Sequence, residues 1–202
     1  MRLVILGGSG AGKGTQAQRL GQRLGRPVLS TGDLIRSAIA AADTQPFSSE
    51  EADLTELAQK AKPYLEAGQL VPDELMIGFI RQRLLQVDMQ QGWILEGYPR
   101  TAFQAEELDF LLDELGQSLT QAIWLEVPQP LLIERARSRS RADDDSDNIQ
   151  RRIQSLEQYT KPLMDYYGYK KRLLLVDGAR SPDGVEAEIA AGLSSISLQD
   201  IS

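Results

Sequence analysis

The stretch that most constrains this chain is GGSGAGKGTQ, Gly7 to Gln16, which directly follows the apolar run Leu3–Leu6. A glycine-rich turn after a short strand lets successive backbone N–H groups point inward around an anion. A helix that starts there adds the positive end of its dipole. Gly7, four residues, then Gly12 and Lys13 match the first part of a phosphate-binding loop. Lys13 is placed to reach the β- and γ-phosphates of a nucleotide. The dinucleotide pattern G-x-G-x-x-G has no register within residues 7–16. The loop also departs from the general motif, because Gly14 follows Lys13 and the hydroxyl comes one residue later, at Thr15.

Further apolar runs are Pro27–Ser30, Trp93–Leu95, Ala122–Val127 and Leu173–Val176. Runs of this length between helical patterns predict a parallel sheet covered on both faces. Ala17, Leu20 and Leu24 share one face of the helix after the loop, and Gly25 stops it. Ile149, Ile153, Leu156 and Leu163 mark one longer helix ending near Gly168, with Asp147 or Ser146 as its cap. Residues 31–75 show helical pattern and no convincing strand, so they read as an insertion. There, Ser48 with Glu51 fits a capping box, and Pro63 predicts a kink or a fresh helix start. The tail after Leu193 is expected to fray.

Composition narrows the chemistry. The 202 residues contain no Cys and no His. Disulfides, thiolate metal sites, His bases and His metal ligands are therefore excluded. A net charge of −7 argues against a nucleic-acid or membrane-surface binder. An anion site must then be a local cluster of Arg and Lys. Residues 1–6 are too short for a signal peptide, and no later run is long enough to span a bilayer. A cytoplasmic protein is the expectation.

The loop GGSGAGKGTQ resembles the G-x-P-G-x-G-K-G-T-Q loop of the adenylate kinase family of nucleoside monophosphate kinases. Ser30–Arg36, STGDLIR, resembles that family's S-T-G-D-x-x-R. Glu96–Gln104, EGYPRTAFQ, resembles D-G-F-P-R-T-x-x-Q. Leu65–Leu75, LEAGQLVPDEL, and Arg141-Ala142-Asp143-Asp144 with Arg152 also fit. The likeness runs in order from Arg2 to about Gly178.

The resemblance implies a P-loop NTPase-like α/β fold with a five-stranded parallel sheet and helices on both faces. It implies one kinase domain over 1–202, an NMP-binding insertion at 31–75 and a short lid at 136–147. The implied activity is ATP + AMP = 2 ADP with Mg²⁺. Gly10, Ala11, Gly12, Lys13, Gly14 and Thr15 would hold the ATP phosphates, with Arg135, Arg139 and Gly178 completing the ATP side. Thr31, Gly32, Arg36, Leu65, Gln69, Val71, Gly97, Arg100, Gln104, Arg141 and Arg152 would line the AMP side. Arg36 and Arg100 would grip the AMP phosphate and Gln104 would read the adenine edge. Arg139, Arg141 and Arg152 would close over the transferring group, so the catalytic set is Lys13, Arg100, Arg139, Arg141 and Arg152. No protein-ligated metal is implied; Mg²⁺ would be held through water and phosphates, with Glu96 behind them. Partners would be ATP, AMP and ADP, with no nucleic acid and no membrane, and the chain would be a monomer.

The chemistry fits independently. The acceptor is a phosphate oxygen, already anionic near neutral pH, so no general base is needed. Phosphoryl transfer is mostly positioning and charge stabilisation, and the arginine fork suits phosphate. Departures from the family are Ser9 for Pro in the loop, Glu96 for Asp, a longer segment around Asp43–Glu56, and a lid with only Ser140 between Arg139 and Arg141. The run Asp143–Asp145 reads as a hinge or cap. Arg137 makes the register of the basic run ambiguous. The resemblance also implies, through Thr31 and Gln104 where related UMP/CMP kinases resemble Ala and Asn, a preference for AMP over pyrimidine acceptors. Two alternatives remain at this level: a UMP/CMP-type kinase, or a catalytically weak adenine-nucleotide sensor. A regulatory GTPase lacks its N-K-x-D sequence here.

Overall fold

The computed structural model describes residues 1–44, 52–67, 69–139 and 145–199. Its sheet contains β1 (Arg2–Leu6), β2 (Val28–Ser30), β3 (Trp93–Glu96), β4 (Gln121–Glu126) and β5 (Leu173–Asp177). The strands are all parallel, in the order β2-β3-β1-β4-β5. β1 is the central strand: Val4 lies beside Leu95 on one flank and Ala122 on the other. Leu3, Val4 and Ile5 have no exposed surface. That is why β1 reads as an unbroken apolar run and not as an alternation. Truncating Ile5 to Ala would cost about 2–5 kcal/mol, because a close-packed site collapses poorly.

The helices are α1 (Lys13–Leu24), α2 (Thr31–Thr44), α3 (Ala52–Glu66), α4 (Asp73–Leu84), α5 (Ala102–Glu114), α6 (Gln129–Ser138), α7 (Ser146–Ser155), α8 (Leu163–Tyr169) and α9 (Pro182–Gln199). α1 buries Ala17 and Leu20, with Leu24 packed at the edge of the core. A Cβ at Gly21 would lie 2.5 Å from Val28 Cγ2, so α1 sits directly on β2. Gly25 ends α1, its N–H donating to the Gly21 carbonyl oxygen.

Four expectations change. The helix expected from Ile149 to Gly168 is two helices, α7 and α8, joined by a π-helical turn over Leu156–Thr160. Pro162 lacks the N–H to continue the ladder, and Lys161 N–H reaches back to Leu156 O at 2.8 Å. The N-cap of α7 is Asp145, not Ser146 or Asp147; its carboxylate accepts from Asn148 N–H at 2.8 Å. No fresh helix starts at Pro63: it falls within α3, in its last turn, where only one ladder bond is lost. α9 continues past Leu193 to Gln199, with Ser194 and Ser195 hydroxyls donating to Ala190 O and Gly192 O. The Ser48–Glu51 box lies outside the described residues.

Between 31 and 75 the described residues carry α2, α3 and the start of α4, and no strand. Residues 136–138 continue α6. No helix is long and apolar enough to cross a membrane, among the described residues.

Candidate active site

The chain leaving β1 runs to β2 at one edge of the sheet, whereas the chains leaving its neighbours β3 and β4 run the other way, to β4 and β5. The carboxyl end of β1 is thus a switch point, where parallel α/β sheets open a crevice. The turn Gly7–Gly12 sits there. Gly10 has φ of 89°, and a Cβ on it would meet the Leu132 carbonyl oxygen of α6 at 2.5 Å. Glycine is therefore required both for conformation and for space. At Gly12 and Gly14 an added Cβ would meet nothing within 4 Å. The cavity floor is open at these two positions. Lys13 Nζ donates to Gly8 O at 2.8 Å, folding the cation back over the loop.

The cavity has a volume of about 680 Å³, within the range of small-ligand sites. Gly10 through Thr15 line one end, with Arg135, Arg139 and Gly178 beside them. Arg135 donates to Gly178 O at 2.8 Å and to Ala179 O at 3.2 Å. Arg139 donates to the Ser9 hydroxyl at 3.1 Å. Arg135 and Arg139, four residues apart, line the cavity, and Arg137 does not.

Gly32, Arg36, Leu65, Gln69, Gly97, Arg100 and Arg152 line the other end. A smaller side pocket of about 50 Å³ adds Thr31, Val71 and Gln104. Every expected site residue therefore lines one of these two adjoining spaces, except Arg141, which lies outside the described residues. Gly97 has φ of 87°, and a Cβ there would meet Thr31 Oγ1 at 2.4 Å. This close approach brings β3's end against the start of α2. Arg100 Nε donates to Gly97 O at 2.8 Å.

The charge pattern is local and opposite to that of the whole chain. Burial lowers the pKa of the Arg100 guanidinium; Arg152 and Arg36 lower it further, and Glu96 opposes them. Three arginines thus feel one another across the cavity that they line. Glu96 accepts from the Ser30 hydroxyl, and Arg36 pairs with Asp33. Asp143 and Asp144 lie outside the described residues, and Asp145 serves as the α7 cap. Among the described residues no cluster of three carboxylates converges as a metal-holding group.

The family model for adenylate kinase matches residues 5–172. Adenylate kinase 2 of Nostoc sp. is 50% identical over 183 residues, 91% of this chain and 93% of that relative. The chain belongs to the adenylate kinase family. Adenylate kinase 2 of Synechocystis sp. is also 50% identical, over 193 residues, 96% of this chain and 100% of that relative. An adenylate kinase of Stenotrophomonas maltophilia is 40% identical over 197 residues, 96% of this chain and 99% of that relative. Adenylate kinases are nucleoside monophosphate kinases that carry out ATP + AMP phosphotransfer and use Mg²⁺. These relatives favour that activity over a pyrimidine-directed kinase or a silent sensor.

Sequence reasoning missed several residues of this adenylate kinase site. Asp33 stood inside a quoted motif but was given no role. Arg180 lines the cavity and pairs with Glu188 at 2.9 Å. Asp73 accepts from Gln104 Nε2 at 2.6 Å, across 31 positions. Asp73 also stood inside a quoted stretch, Leu65–Leu75, which gave no hint of its partner.

Proposed function

We propose that ATP occupies the loop end of the cavity, AMP the insertion end, and that the γ-phosphoryl group passes between them in line. An AMP phosphate oxygen attacks Pγ, the bond from Pγ to the bridging β–γ oxygen breaks, and two ADP result. The acceptor oxygen is already anionic, so no residue need remove a proton. The observation that carries this reading is the convergence of Lys13, Arg36, Arg100, Arg139 and Arg152 on one cavity of an acidic chain.

The roles follow from placement. Residues Gly10–Thr15 offer backbone donors to the donor phosphates, and Lys13 moves from Gly8 O to the β- and γ-oxygens. Arg135 and Gly178 flank the donor base, where the guanidinium supplies a cation–π face. Arg36 and Arg100 hold the acceptor phosphate, and Gln104, beside Thr31, Gly32, Leu65, Gln69 and Val71, reads its base. Arg139, Arg141 and Arg152 surround the transferring group and keep water out. The span 31–75 acts as the acceptor-binding insertion and 136–147 as the lid of a single 1–202 domain.

The Thr15 hydroxyl and the Glu96 carboxylate both line the cavity. An oxygen-only donor set suits a hard divalent cation that keeps several waters, so the residues fit Mg²⁺. When bound, Mg²⁺ supplies charge neutralisation between the β- and γ-phosphates. Thr15 would contact it, and Glu96 would orient its waters. The reading includes a monomer at work in the cytoplasm, with nucleotides as its partners and no nucleic acid; the acidic net charge supports the last point.

Titration calorimetry with each nucleotide alone tests the division of the cavity. Lys13→Met should weaken ATP by about tenfold or more and leave AMP nearly unchanged; Arg36→Met should do the reverse. If both variants weakened the same nucleotide alone, the two ends would be wrongly divided.

A further inference from the structure

We propose that Asp73 is a positioning residue that sets acceptor specificity: it locks the Gln104 amide in the one orientation that accepts a 6-aminopurine and rejects a 6-oxopurine. The proposal rests on the reading that Gln104 faces the acceptor base.

Gln104 is held at every point. Its side chain is buried, with the residue only 2% exposed. Its backbone N–H donates to the Thr101 hydroxyl, the N-cap of α5, at 3.1 Å. Its carbonyl oxygen accepts from the Tyr98 hydroxyl at 3.1 Å. Burial, and then Asp73 and Glu107, push that hydroxyl well above the usual tyrosine range, so it stays a donor.

The side-chain amide is bracketed by two groups that each work in one direction. Oε1 accepts from the Arg100 backbone N–H at 2.7 Å. Nε2 donates to Asp73 Oδ1 at 2.6 Å. A backbone N–H only donates and a carboxylate only accepts. Turning the amide over would set N–H against N–H and oxygen against carboxylate. Both bonds would be lost in a buried place, where unpaired polar groups are costly.

After these two bonds the amide keeps one N–H on Nε2 and one acceptor direction on Oε1. Gln104 lines the side pocket with Thr31, Val71 and Gly97. A 6-aminopurine presents a ring-nitrogen acceptor next to an amino donor, which complements a donor beside an acceptor. A 6-oxopurine presents a ring N–H next to a carbonyl oxygen. Against the same amide that gives donor facing donor and acceptor facing acceptor. A free glutamine could turn over and serve either base. With Asp73 fixed at the first turn of α4, it serves one.

The test compares kcat/KM for AMP and for IMP in the full chain, in wild type, Asp73→Asn and Gln104→Ala. IMP differs from AMP only at the edge in question. An asparagine at position 73 can offer either a donor or an acceptor, so it tolerates both amide orientations, while the Arg100 N–H still favours one. Asp73→Asn should narrow the AMP-to-IMP preference by about tenfold, mainly through KM. Its ATP KM and melting temperature should stay as in wild type. General damage would lower both acceptors together and leave their ratio intact. Asp73→Ser, which also presents either character, is the second variant and should narrow the ratio likewise. If Gln104→Ala collapsed the preference but both position-73 variants kept it within about twofold, Gln104 would read the base without Asp73 and the proposal would be overturned. If Gln104→Ala also kept the preference, the failure would lie in the Gln104 reading, and the proposal would fall with it.

Discussion

Arg139, at the end of α6, donates to the hydroxyl of Ser9 inside the phosphate loop at 3.1 Å, across 130 positions of sequence. The contact ties the end of α6 to the phosphate loop. It exists because Ser stands where the family's loop usually has Pro, which has no hydroxyl. An incoming phosphate competes with this hydroxyl for the guanidinium. Ser9→Ala should therefore leave kcat unchanged and lower the KM for ATP by at most about fivefold, since one such bond is worth about 1 kcal/mol. A large rise in KM would show instead that the Ser9 hydroxyl itself holds phosphate.

Arg100→Met should separate activity from stability. Burial and the neighbouring Arg152 and Arg36 lower the Arg100 pKa. A basic group with a lowered folded pKa binds its proton less well folded than unfolded, so its charge disfavours the native state throughout the neutral range. The variant should melt at the same temperature as wild type or higher. Its kcat/KM for AMP should fall by about 10²–10³, the scale of losing one donor to a transition-state charge. Calorimetric melting and initial rates measure the two sides.

Glu96→Gln keeps the shape of the side chain and removes the charge facing Arg100. It should raise the Mg²⁺ concentration needed for half-maximal rate by about tenfold, by weakening the hold on metal-bound water. Glu96→Asp, the family's usual residue, should recover most of that loss. A Mg²⁺ titration at saturating nucleotides decides it; equal Mg²⁺ dependence in Glu96→Gln and wild type would remove Glu96 from the metal's surroundings.

The pH–rate profile should carry the signature of the substrate. The chain has no His, and the proposed transfer needs no general base. kcat should stay flat from about pH 7 to 9, while kcat/KM for AMP falls below about pH 6, as the second ionisation of its phosphate is lost. A bell-shaped kcat centred near neutral pH would demand an acid or base that this account does not contain.

A small acid-sensitive term should come from Asp88. Arg83 grips its carboxylate with both nitrogens, at 2.8 and 2.6 Å, and holds its pKa below the usual range. A depressed folded pKa adds stability above the unfolded value, near pH 4, that is lost as pH falls through the folded one. The pair is exposed, so Asp88→Asn should cost no more than about 1 kcal/mol at pH 7 and flatten the acid limb of the melting curve.

The strands were legible because buried parallel strands leave continuous apolar runs, as at Leu3–Leu6 and Ala122–Val127. The loop at Gly7–Gln16 and the arginine positions were legible because phosphate binding needs those residue types in a fixed order. Local choices among equals were not. Asp145, Ser146 and Asp147 are all good caps, and the extended backbone falls at Asp145, with φ of −68° and ψ of 163°, before the helix begins. The break after Leu156 hinged on Pro162, whose effect reaches back over the preceding turn, so apolar spacing alone ran the two helices together. Asp73 was out of reach for a different reason. Its partner Gln104 sits on another helix, and only the packing of α4 on α5 brings the two together.

The most direct measurement is ADP formation from ATP and Mg²⁺ with AMP, CMP, UMP or GMP as acceptor. The account predicts rapid ADP formation with AMP and, for the other three, rates lower by about a hundredfold or more, as expected for a buried site that hydrogen-bonds one base edge. Comparable turnover with CMP or UMP, or nucleotide binding without turnover for any acceptor, would contradict it.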